Sequence, residues 1–474
     1  METTEKLDPK LFRDYDIRGV VPWLVDKRSV YFGKVGKPET NLAPLDAAEA
    51  YVIARALAEY LKPKRVLVGR DTRLSADKFF EAFTHGLVDA GVRVDDPGVT
   101  TTSMVYFASG KYGYDATVNI TASHTPREIN GFKLTRENTK IIGAGSGMEE
   151  LKAIALLGKF SSPLEKGKVA KVEILGDYVN HVTDLIEPSR IGRFKLVLDT
   201  SNGPMYRPLE KIIPLLNCEI VKLNFEPDGE FPAHDPNPLI PENREQVRQT
   251  VKAMRADLGV MWDGDADRIM FIDDQNNLVP GDFMTALYAR YFLARNPGAT
   301  VVYNAPSSWV VKDTVAKFGG RAVMHRTGHA FIKQKNREVD ALFAGEHSAH
   351  YYFKHTYYAE NDLIPFLAIL DLMTEEKKSL SQLLKELGDY YVSGEINFEV
   401  QDREASVAAV KRAYRNALHV YFIDGVSVEF PDWHFNVRPS ANDPVVRLNV
   451  ETRRQKDLAS RIEEVVRVIG GRRI

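Results

Sequence analysis

Three aspartates in the stretch GVMWDGDADRIMFIDD have the spacing that most directly suggests chemistry. Asp263, Asp265 and Asp267 occupy alternate positions between two apolar runs that are typical of strands. Their carboxylates can converge on one hard cation that prefers oxygen ligands. A solvated acidic turn is the simpler alternative, but three carboxylates held between hydrophobic strands would repel one another strongly without a cation. The spacing therefore predicts a divalent metal site, whose ligand shell a phosphate oxygen could complete.

A serine in the stretch NITASHTPREINGFKL is a candidate nucleophile. The alternating, β-branched run DATVNITAS predicts a strand that ends at Ser123, and the following HTP breaks that strand. We therefore expect Ser123 on an exposed loop at the end of a strand, where α/β proteins tend to build sites. The G-x-S-x-G pattern of serine hydrolases is missing from this stretch. An ordinary turn serine before a proline explains the stretch equally well, so its role depends on the rest of the chain.

Arginine-bearing segments near both ends could bind phosphate. FRDYDIRG supplies Arg13 and Arg18, and VRPSANDPVVRL places Arg438, Ser440 and Asn442 around a proline turn. Taken singly, each arginine is more typical of a surface salt bridge, and the same holds for GRDTR at residues 69–73.

The segment AGEHSAHYYF has polar residues at alternating positions. Glu346, Ser348 and His350 would face one way in an extended segment, which suits recognition of a polyhydroxylated ligand. His347 would point the other way, towards packing or solvent.

The composition excludes several classes of protein. The chain has 474 residues, of which 44% are hydrophobic and 27% charged, and a formal net charge of -2. This balance is typical of a soluble globular protein and gives no support for nucleic acid or membrane as the main partner. Cys218 is the only cysteine, so no intramolecular disulfide can form. With no signal peptide or membrane span in the sequence, we expect a cytoplasmic protein.

Short apolar strands alternate with amphipathic helices through most of the chain, and this β-α-β rhythm predicts parallel or mixed sheets. Near the C-terminus the pattern changes to INFEV, a helix, and then GVSVEF, WHFNV and VVRLNVE, which predicts a small α+β domain with an antiparallel sheet. Breaks at GKFSSPLEKGK and DDQNNLVPGD mark domain boundaries. We predict an α/β protein of four domains, at residues 1–163, 164–277, 278–388 and 389–474.

Four motifs in this order, TASHTPREINGFK, DGDADR, GEHSAH and RPSANDP, together resemble the α-D-phosphohexomutase family, most closely its phosphomannomutase/phosphoglucomutase branch. FRDYDIRG, PDGEFPAHDPNP and TGHAFIK extend the resemblance over nearly the whole chain. The resemblance implies three α/β domains and a smaller α+β domain around a central cleft. It also implies reversible interconversion of hexose 1-phosphate and hexose 6-phosphate, of mannose, glucose or both, through a phosphoserine and a hexose 1,6-bisphosphate.

The resemblance assigns a role to each matching position. Ser123 carries the phosphoryl group, and the three aspartates hold Mg²⁺ with the seryl phosphate as a further ligand. The cations around the reacting phosphate are Arg18, Lys133 and Arg268, and the general acid/base is His329. The sugar-binding residues are Glu346, Ser348 and His350, and the substrate's other phosphate is held by Arg438, Ser440 and Asn442. Sugar phosphates are the implied partners, and hexose 1,6-bisphosphate is the implied activator.

Some positions depart from the family pattern. Ala349 stands where the sugar loop usually has glycine, and Ala441, Asn442 and Asp443 replace the usual residues before the proline of the phosphate loop. Pro306 stands in a loop where some relatives use a lysine for the substrate. We expect these changes to alter affinity and not to abolish binding.

Three alternatives remain from the sequence. A phosphoglucosamine mutase shares the chemistry, but that branch commonly has glutamine where His347 stands. A phosphatase would have to admit water to the phosphoserine. A non-catalytic relative that only binds sugar phosphates would be expected to lose Ser123, Lys133 or an aspartate, and all five residues are present.

Overall fold

The structure, a computed structural model, describes residues 7–27, 29–35, 43–417, 419–440 and 445–474. The chain divides into two compact units. The first contains the residues up to Val279 together with Tyr351–Leu380, and the second contains Pro280–His350 and Ser381–Ile474. In the described ranges, no helix combines the length and apolar character needed to cross a membrane.

The N-terminal part of the first unit is built on a mixed six-stranded sheet. Its strands are β1 (Ile17–Val20), β2 (Arg65–Arg70), β3 (Arg93–Asp96), β4 (Ala116–Ile120), β5 (Ile129–Arg136) and β6 (Val169–Lys171), in the order β1-β5-β4-β2-β3-β6. The helices are α1 (Ala47–Leu61), α2 (Ala76–Asp89), α3 (Thr102–Tyr112) and α4 (Met148–Leu157). A capping box of Asp46 and Glu49 starts α1. The rings of Phe79 and Phe83 on α2 stack on Phe132 of β5, which fixes this helix on the sheet.

A second mixed sheet in the same unit carries the aspartate motif. Its strands are β7 (Lys195–Asp199), β8 (Glu219–Leu223), β9 (Leu258–Trp262), β10 (Ile269–Ile272) and β11 (Leu278–Val279), in the order β11-β10-β9-β7-β8. The helices are α5 (Leu175–Thr183), α6 (Tyr206–Ile212) and α7 (Glu245–Met254). β9 and β10 pair antiparallel, with Trp262 opposite Ile269, so the residues between them form the tip of a hairpin.

The second unit begins with parallel strands and their helices. They are α8 (Gly281–Arg295), β12 (Thr300–Asn304), α9 (Trp309–Lys317), β13 (Arg321–His325), α10 (His329–Glu338) and β14 (Phe343–Gly345). β12 pairs parallel with both β13 and β14. The next elements of the chain belong to the first unit, namely β15 (Tyr351–Phe353), β16 (Ala359–Glu360) and α11 (Ile364–Glu376).

The C-terminal part is an antiparallel sheet covered by two helices. The elements are α12 (Leu380–Lys385), β17 (Tyr391–Val392), β18 (Ile396–Glu399), α13 (Arg403–Ala413), β19 (His419–Tyr421), β20 (Val426–Glu429), β21 (Trp433–Pro439), β22 (Val445–Thr452), α14 (Gln455–Ile469) and β23 (Arg472–Arg473). The strand order is β19-β20-β21-β22-β18-β23, and β17 pairs with β22. This confirms the prediction of a small α+β domain with an antiparallel sheet.

Short 3-10 turns occur at Pro9–Leu11, Pro22–Leu24, Glu137–Thr139, Pro188–Arg190, Ile213–Leu215, Glu242–Arg244 and Lys354–Thr356.

Candidate functional site

Ser123 follows the end of β4, as predicted, but the expectation that it is exposed is wrong. The residue is 3% exposed. The tip of the β9–β10 hairpin packs against it so closely that a Cβ on Gly264 would lie 2.5 Å from the Ser123 carbonyl oxygen. Ser123 adopts a left-handed backbone conformation with φ 54°, and its N–H donates to Thr121 Oγ1 at 2.9 Å. A long-range contact between two loops therefore buries the serine.

The three aspartates are buried and converge at the hairpin tip. A carboxylate oxygen from each of Asp263, Asp265 and Asp267 lies within 4.8 Å of the others. The Ser123 hydroxyl donates to Asp263 Oδ2 at 2.7 Å and lies 3.4 Å from Asp267 Oδ1. The Arg268 backbone N–H donates to Asp263 Oδ1 at 3.2 Å and helps to close the loop. The serine and the acidic triad thus form one buried cluster.

Lys133 enters this cluster from β5, where it lies opposite Asn119 of β4. Its Nζ lies 2.6 Å from Asp265 Oδ2 and 2.5 Å from Asp267 Oδ2. Burial alone would lower the pKa of Lys133, but the charges of Asp265 and Asp267 outweigh burial and hold that pKa well above its usual value. Lys133 therefore favours its charged form and pairs with two of the carboxylates in the cluster that contains the serine.

The acidic triad can hold a metal ion. Burial, followed by the charges of Asp267 and Asp265, raises the pKa of Asp263 well above its usual value. Asp265 Oδ1 is buried and accepts no hydrogen bond from any described residue. Asp265 Oδ2 is held by the Thr102 hydroxyl at 2.6 Å, which in turn accepts from Asn119 Nδ2 at 2.8 Å. An excess of buried negative charge and an unsatisfied carboxylate oxygen fit a hard divalent cation.

Arg18 lies on β1, where it pairs in register with Gly131 of β5. Its Nη2 forms an ion pair with Asp16 at 2.5 Å, and its side chain remains 24% exposed. In the first unit, the predicted residues Ser123, Lys133 and the three aspartates thus form one contact cluster. Arg268 follows the aspartates in the loop between β9 and β10, and Arg18 lies on β1, next to the strand of Lys133.

The second unit contains the residues that were predicted to bind sugar. Ser348 Oγ lies 3.0 Å from His350 Nδ1, and Glu346 Oε2 lies 3.8 Å from the same nitrogen. Glu346 is 1% exposed, and its Oε1 accepts a hydrogen bond from Gly328 N at 3.0 Å. His329 is the next residue and the first of α10. Ala349, which replaces the usual glycine, has φ 66° and so adopts the left-handed conformation that glycine favours.

Arg438 is linked to the sugar loop by Glu395, which the sequence analysis missed. Glu395 Oε2 lies 3.0 Å from Arg438 Nη2 and 3.6 Å from His347 Nε2, and its Oε1 lies 3.3 Å from Arg447 Nη1. Burial opposes ionisation, but His347 and the two arginines outweigh it and lower the pKa of Glu395 to about 2. Asn304 Nδ2 lies 2.8 Å from His347 Nδ1, on the side of the ring away from Glu395. The interpretation of His347 as packing or solvent was therefore incomplete.

The predicted phosphate loop is only partly described. Ser440 is 4% exposed; its N–H donates to Val445 O at 2.9 Å and its carbonyl accepts from Arg403 Nη1 at 2.8 Å. Asn442, together with Ala441 and Asp443, lies outside the described residues.

Arg73 is buried and does not form the surface salt bridge that the sequence suggested. The GRDTR segment was interpreted as typical of a surface salt bridge, but the Arg73 and Asp71 side chains are both 0% exposed. Four of the acceptors of Arg73 are backbone carbonyls of the Ser123 loop. Because backbone acceptors leave no mark in a sequence, only an unusual apolar context around the arginine could have signalled its burial.

Comparisons with known proteins agree with this architecture. Models of the family described as phosphoglucomutase/phosphomannomutase match the chain in order: alpha/beta/alpha domains I, II and III at residues 30–154, 176–276 and 280–391, and the C-terminal domain at residues 395–468.

Individual relatives cover nearly the whole chain. This chain is 38% identical to a phosphomannomutase of Vibrio cholerae, and the match covers 90% of this chain and 95% of that protein. It is 35% identical to a Xanthomonas campestris protein named phosphohexose mutases, over 97% of this chain and 99% of that protein. A solved phosphoglucomutase/phosphomannomutase family protein from Burkholderia thailandensis matches with a TM-score of 0.85 at 29% identity, over 98% of this chain and 99% of that chain. The predicted four-domain fold and hexose-phosphate mutase class are confirmed, and the chain belongs to the phosphoglucomutase/phosphomannomutase family.

Proposed function

We propose that this chain interconverts the 1-phosphates and 6-phosphates of mannose and glucose by passing a phosphoryl group through Ser123. The main support for this proposal is the buried hydroxyl of Ser123, which donates to Asp263 at 2.7 Å. Lys133 lies 2.5 Å from Asp267 in the same cluster. Phosphoryl transfer asks a protein mainly for positioning and charge neutralisation. A hydroxyl held by carboxylates that can bind a metal, with a lysine paired to the same carboxylates, meets both needs.

The proposed reaction has two transfers. In the first, the bond between Ser123 Oγ and phosphorus breaks and Oγ takes up a proton, while the free hydroxyl of a hexose 1-phosphate gains the phosphoryl group and gives up its proton. The product is a hexose 1,6-bisphosphate and a free serine. After the sugar turns around, Ser123 Oγ forms a bond to the phosphorus at C1 and gives up its proton, the bond between that phosphorus and O1 breaks, and O1 takes up a proton, which releases hexose 6-phosphate. Lys133, Arg18 and Arg268 provide positive charge for the phosphoryl group in both steps, and His329 is the proposed acid/base for the sugar hydroxyl.

Mg²⁺ is the proposed metal, held by Asp263, Asp265 and Asp267 and by the phosphorylated Ser123. When bound, it would supply positive charge next to the reacting phosphate. The hard oxygen donors and the buried, unsatisfied Asp265 Oδ1 support this choice. Hexose 1,6-bisphosphate is the proposed activator, because an intermediate that escapes leaves Ser123 unphosphorylated and only another bisphosphate can recharge it.

The second unit is proposed to bind the rest of the substrate. Glu346, Ser348 and His350 would bind sugar hydroxyls, and Arg438, Ser440 and Asn442 would hold the phosphate that is not reacting. The close grouping of Glu346, Ser348 and His350 supports a shared ligand. One site must accept the sugar in two orientations, so the hydroxyls near its middle are the best targets for these residues.

A coupled assay with purified protein tests this proposal. Glucose 1-phosphate, mannose 1-phosphate and glucosamine 1-phosphate are offered in parallel, with Mg²⁺ and with or without glucose 1,6-bisphosphate. We expect turnover of the first two sugars with kcat/KM values within roughly two orders of magnitude, because losing one neutral hydrogen bond at C2 costs about 1 kcal/mol. Peptide mass analysis should find covalent phosphate on Ser123. A strong preference for glucosamine 1-phosphate would instead identify a phosphoglucosamine mutase, and phosphate release without isomerisation would identify a phosphatase.

A further inference from the structure

Arg73 uses its whole guanidinium group to hold the loop that carries Ser123. A guanidinium presents five N–H donors in a fixed planar fork. Nε donates to Asp71 Oδ2 at 3.2 Å. Nη1 donates to the carbonyls of Pro126 at 2.8 Å and Ile129 at 2.9 Å. Nη2 donates to the carbonyls of Ser123 and Thr125, each at 2.7 Å. All five donors are therefore bound, four of them by backbone carbonyls between Ser123 and Ile129, the first residue of β5.

The loop needs such support because its backbone is strained at the reacting residue. Ser123 has φ 54°, in the left-handed region that a side chain disfavours. Such a conformation persists only when the surrounding structure enforces it. Thr121 Oγ1 fixes the Ser123 N–H at 2.9 Å, and Arg73 fixes its carbonyl. The two bonds set the direction of the Ser123 side chain towards Asp263.

Arg73 performs this role without contributing net charge to the cluster. Its partner Asp71 also accepts from the Arg73 backbone N–H at 2.9 Å, so a carboxylate of opposite charge lies directly against the guanidinium. Each described bond of the guanidinium goes to Asp71 or to a carbonyl, and none goes to the Ser123 hydroxyl or to an aspartate of the triad. Arg73 thus acts on Ser123 through the backbone.

We propose that Arg73 is a positioning residue for phosphoryl transfer, which holds the Ser123 oxygen in line with the incoming phosphoryl group, with Asp71 as its counter-charge. This inference rests on the proposed role of Ser123. Misplacing a reacting atom by about 1 Å can cost 10²-fold in rate. Because each described bond of the Arg73 guanidinium goes to Asp71 or to the carbonyls of residues 123–129, its loss should lower kcat and leave KM nearly unchanged.

The test compares Arg73→Lys with a matched control, Arg55→Lys. Lysine keeps the positive charge but lacks the planar fork. Arg55 is also buried, at 8% exposed, and donates to the Ser161 carbonyl at 2.6 Å and to Tyr51 at 3.1 Å, away from Ser123. Both variants should lose thermal stability. Only Arg73→Lys should lose about 100-fold or more in kcat, with KM within about threefold of wild type. The rate at which glucose 1,6-bisphosphate phosphorylates Ser123 should fall with kcat.

Two results would overturn the proposal: a folded Arg73→Lys with kcat within about fivefold of wild type, or an equal loss of kcat in Arg55→Lys. If Arg73→Lys does not fold, Asp71→Asn provides the second measurement. It keeps the four carbonyl contacts of Arg73 but removes the counter-charge, and we expect about a tenfold loss in kcat with KM unchanged; wild-type kcat would again contradict the proposal. If wild-type protein itself lacks mutase activity or phosphate on Ser123, the proposed function fails, which is a separate result.

Discussion

Replacing Gly264 with alanine should slow the reaction without changing a single group that is proposed to touch the substrate. Gly264 lies between the first two aspartates of the triad, at the tip of the hairpin. A Cβ there would lie 2.5 Å from the Ser123 carbonyl oxygen and 3.1 Å from Pro236 Cβ. Unstrained contacts between carbon and oxygen lie near 3.3 Å, so the two loops must separate by about 0.8 Å.

This separation would displace the Ser123 carbonyl, which lies between Gly264 and Arg73. The Ser123 carbonyl also accepts from Arg73 Nη2 at 2.7 Å, so it cannot move away from Gly264 without disturbing that bond. A displacement close to 1 Å at the reacting residue predicts a loss of about 100-fold in kcat, equivalent to about 2.7 kcal/mol of transition-state stabilisation. KM for glucose 1-phosphate should stay within about threefold, because the proposed sugar-binding residues lie in other loops.

The coupled assay measures kcat and KM, and thermal unfolding checks that the variant is folded. Overpacking should cost about 1–3 kcal/mol of stability. Gly176→Ala is the matched control, because Gly176 lies in α5 and a Cβ there would meet nothing within 4 Å. This control should keep wild-type kcat and gain slightly in stability, since alanine favours a helix. A folded Gly264→Ala with wild-type kcat would refute the argument that this contact positions Ser123.

Three further predictions follow from the structure. Asp265→Asn should raise the Mg²⁺ concentration needed for half-maximal activity by roughly 100-fold or more, because it weakens a proposed ligand; an unchanged Mg²⁺ titration, or full activity after thorough chelation, would contradict the metal site. Glu346→Ala should lower kcat/KM for glucose and mannose 1-phosphates in parallel, and a loss confined to one sugar would show that it reads C2. Burial raises the pKa of Asp362 from 3.8 to about 6, so the folded state holds its proton more tightly than the unfolded state, and stability from this group is lost as the pH rises from about 4 to about 6. The stability advantage of Asp362→Asn over wild type should therefore be larger at pH 7.5 than at pH 5 by about 1.4 kcal/mol, measured by paired denaturation curves, and a pH-independent difference would mean that Asp362 does not titrate in this range.

Much of the fold could be predicted from the sequence because most elements have one apolar face. WHFNV and VVRLNVE, interpreted as strands, lie in β21 and β22, and the periodic run after INFEV forms α13. The run LIPFLAILDLM, at residues 363–373, is apolar at nearly every position and shows no helical period. It forms most of α11, with Pro365 tolerated in its first turn. A helix that is buried on all sides has no polar face, and its periodicity cannot distinguish it from a strand.

The candidate site also has features that the sequence predicts and features that it does not. The convergence of the three aspartates could be predicted because they alternate within one short stretch of the chain. The burial of Ser123, the bonds of Arg73 and the bridge through Glu395 could not, because they join residues far apart in the chain. The carbonyls that bind Arg73 lie 50 to 56 residues further along the chain. The sequence signals which chemical groups are available, whereas their direction depends on contacts between loops.

The placement of Tyr351–Leu380 in the first compact unit has a consequence for folding during synthesis. The family model of domain III covers residues 280–391, yet α11 belongs with the residues up to Val279, and ten of its thirteen residues are buried. Trp262 donates to the Asp362 carbonyl at 3.1 Å and packs edge-on against Phe366. A chain emerging from the ribosome therefore cannot complete the core around Trp262 until Leu380 has been synthesised, long after the three aspartates have emerged. A fragment that ends at Val279 would leave this apolar surface uncovered.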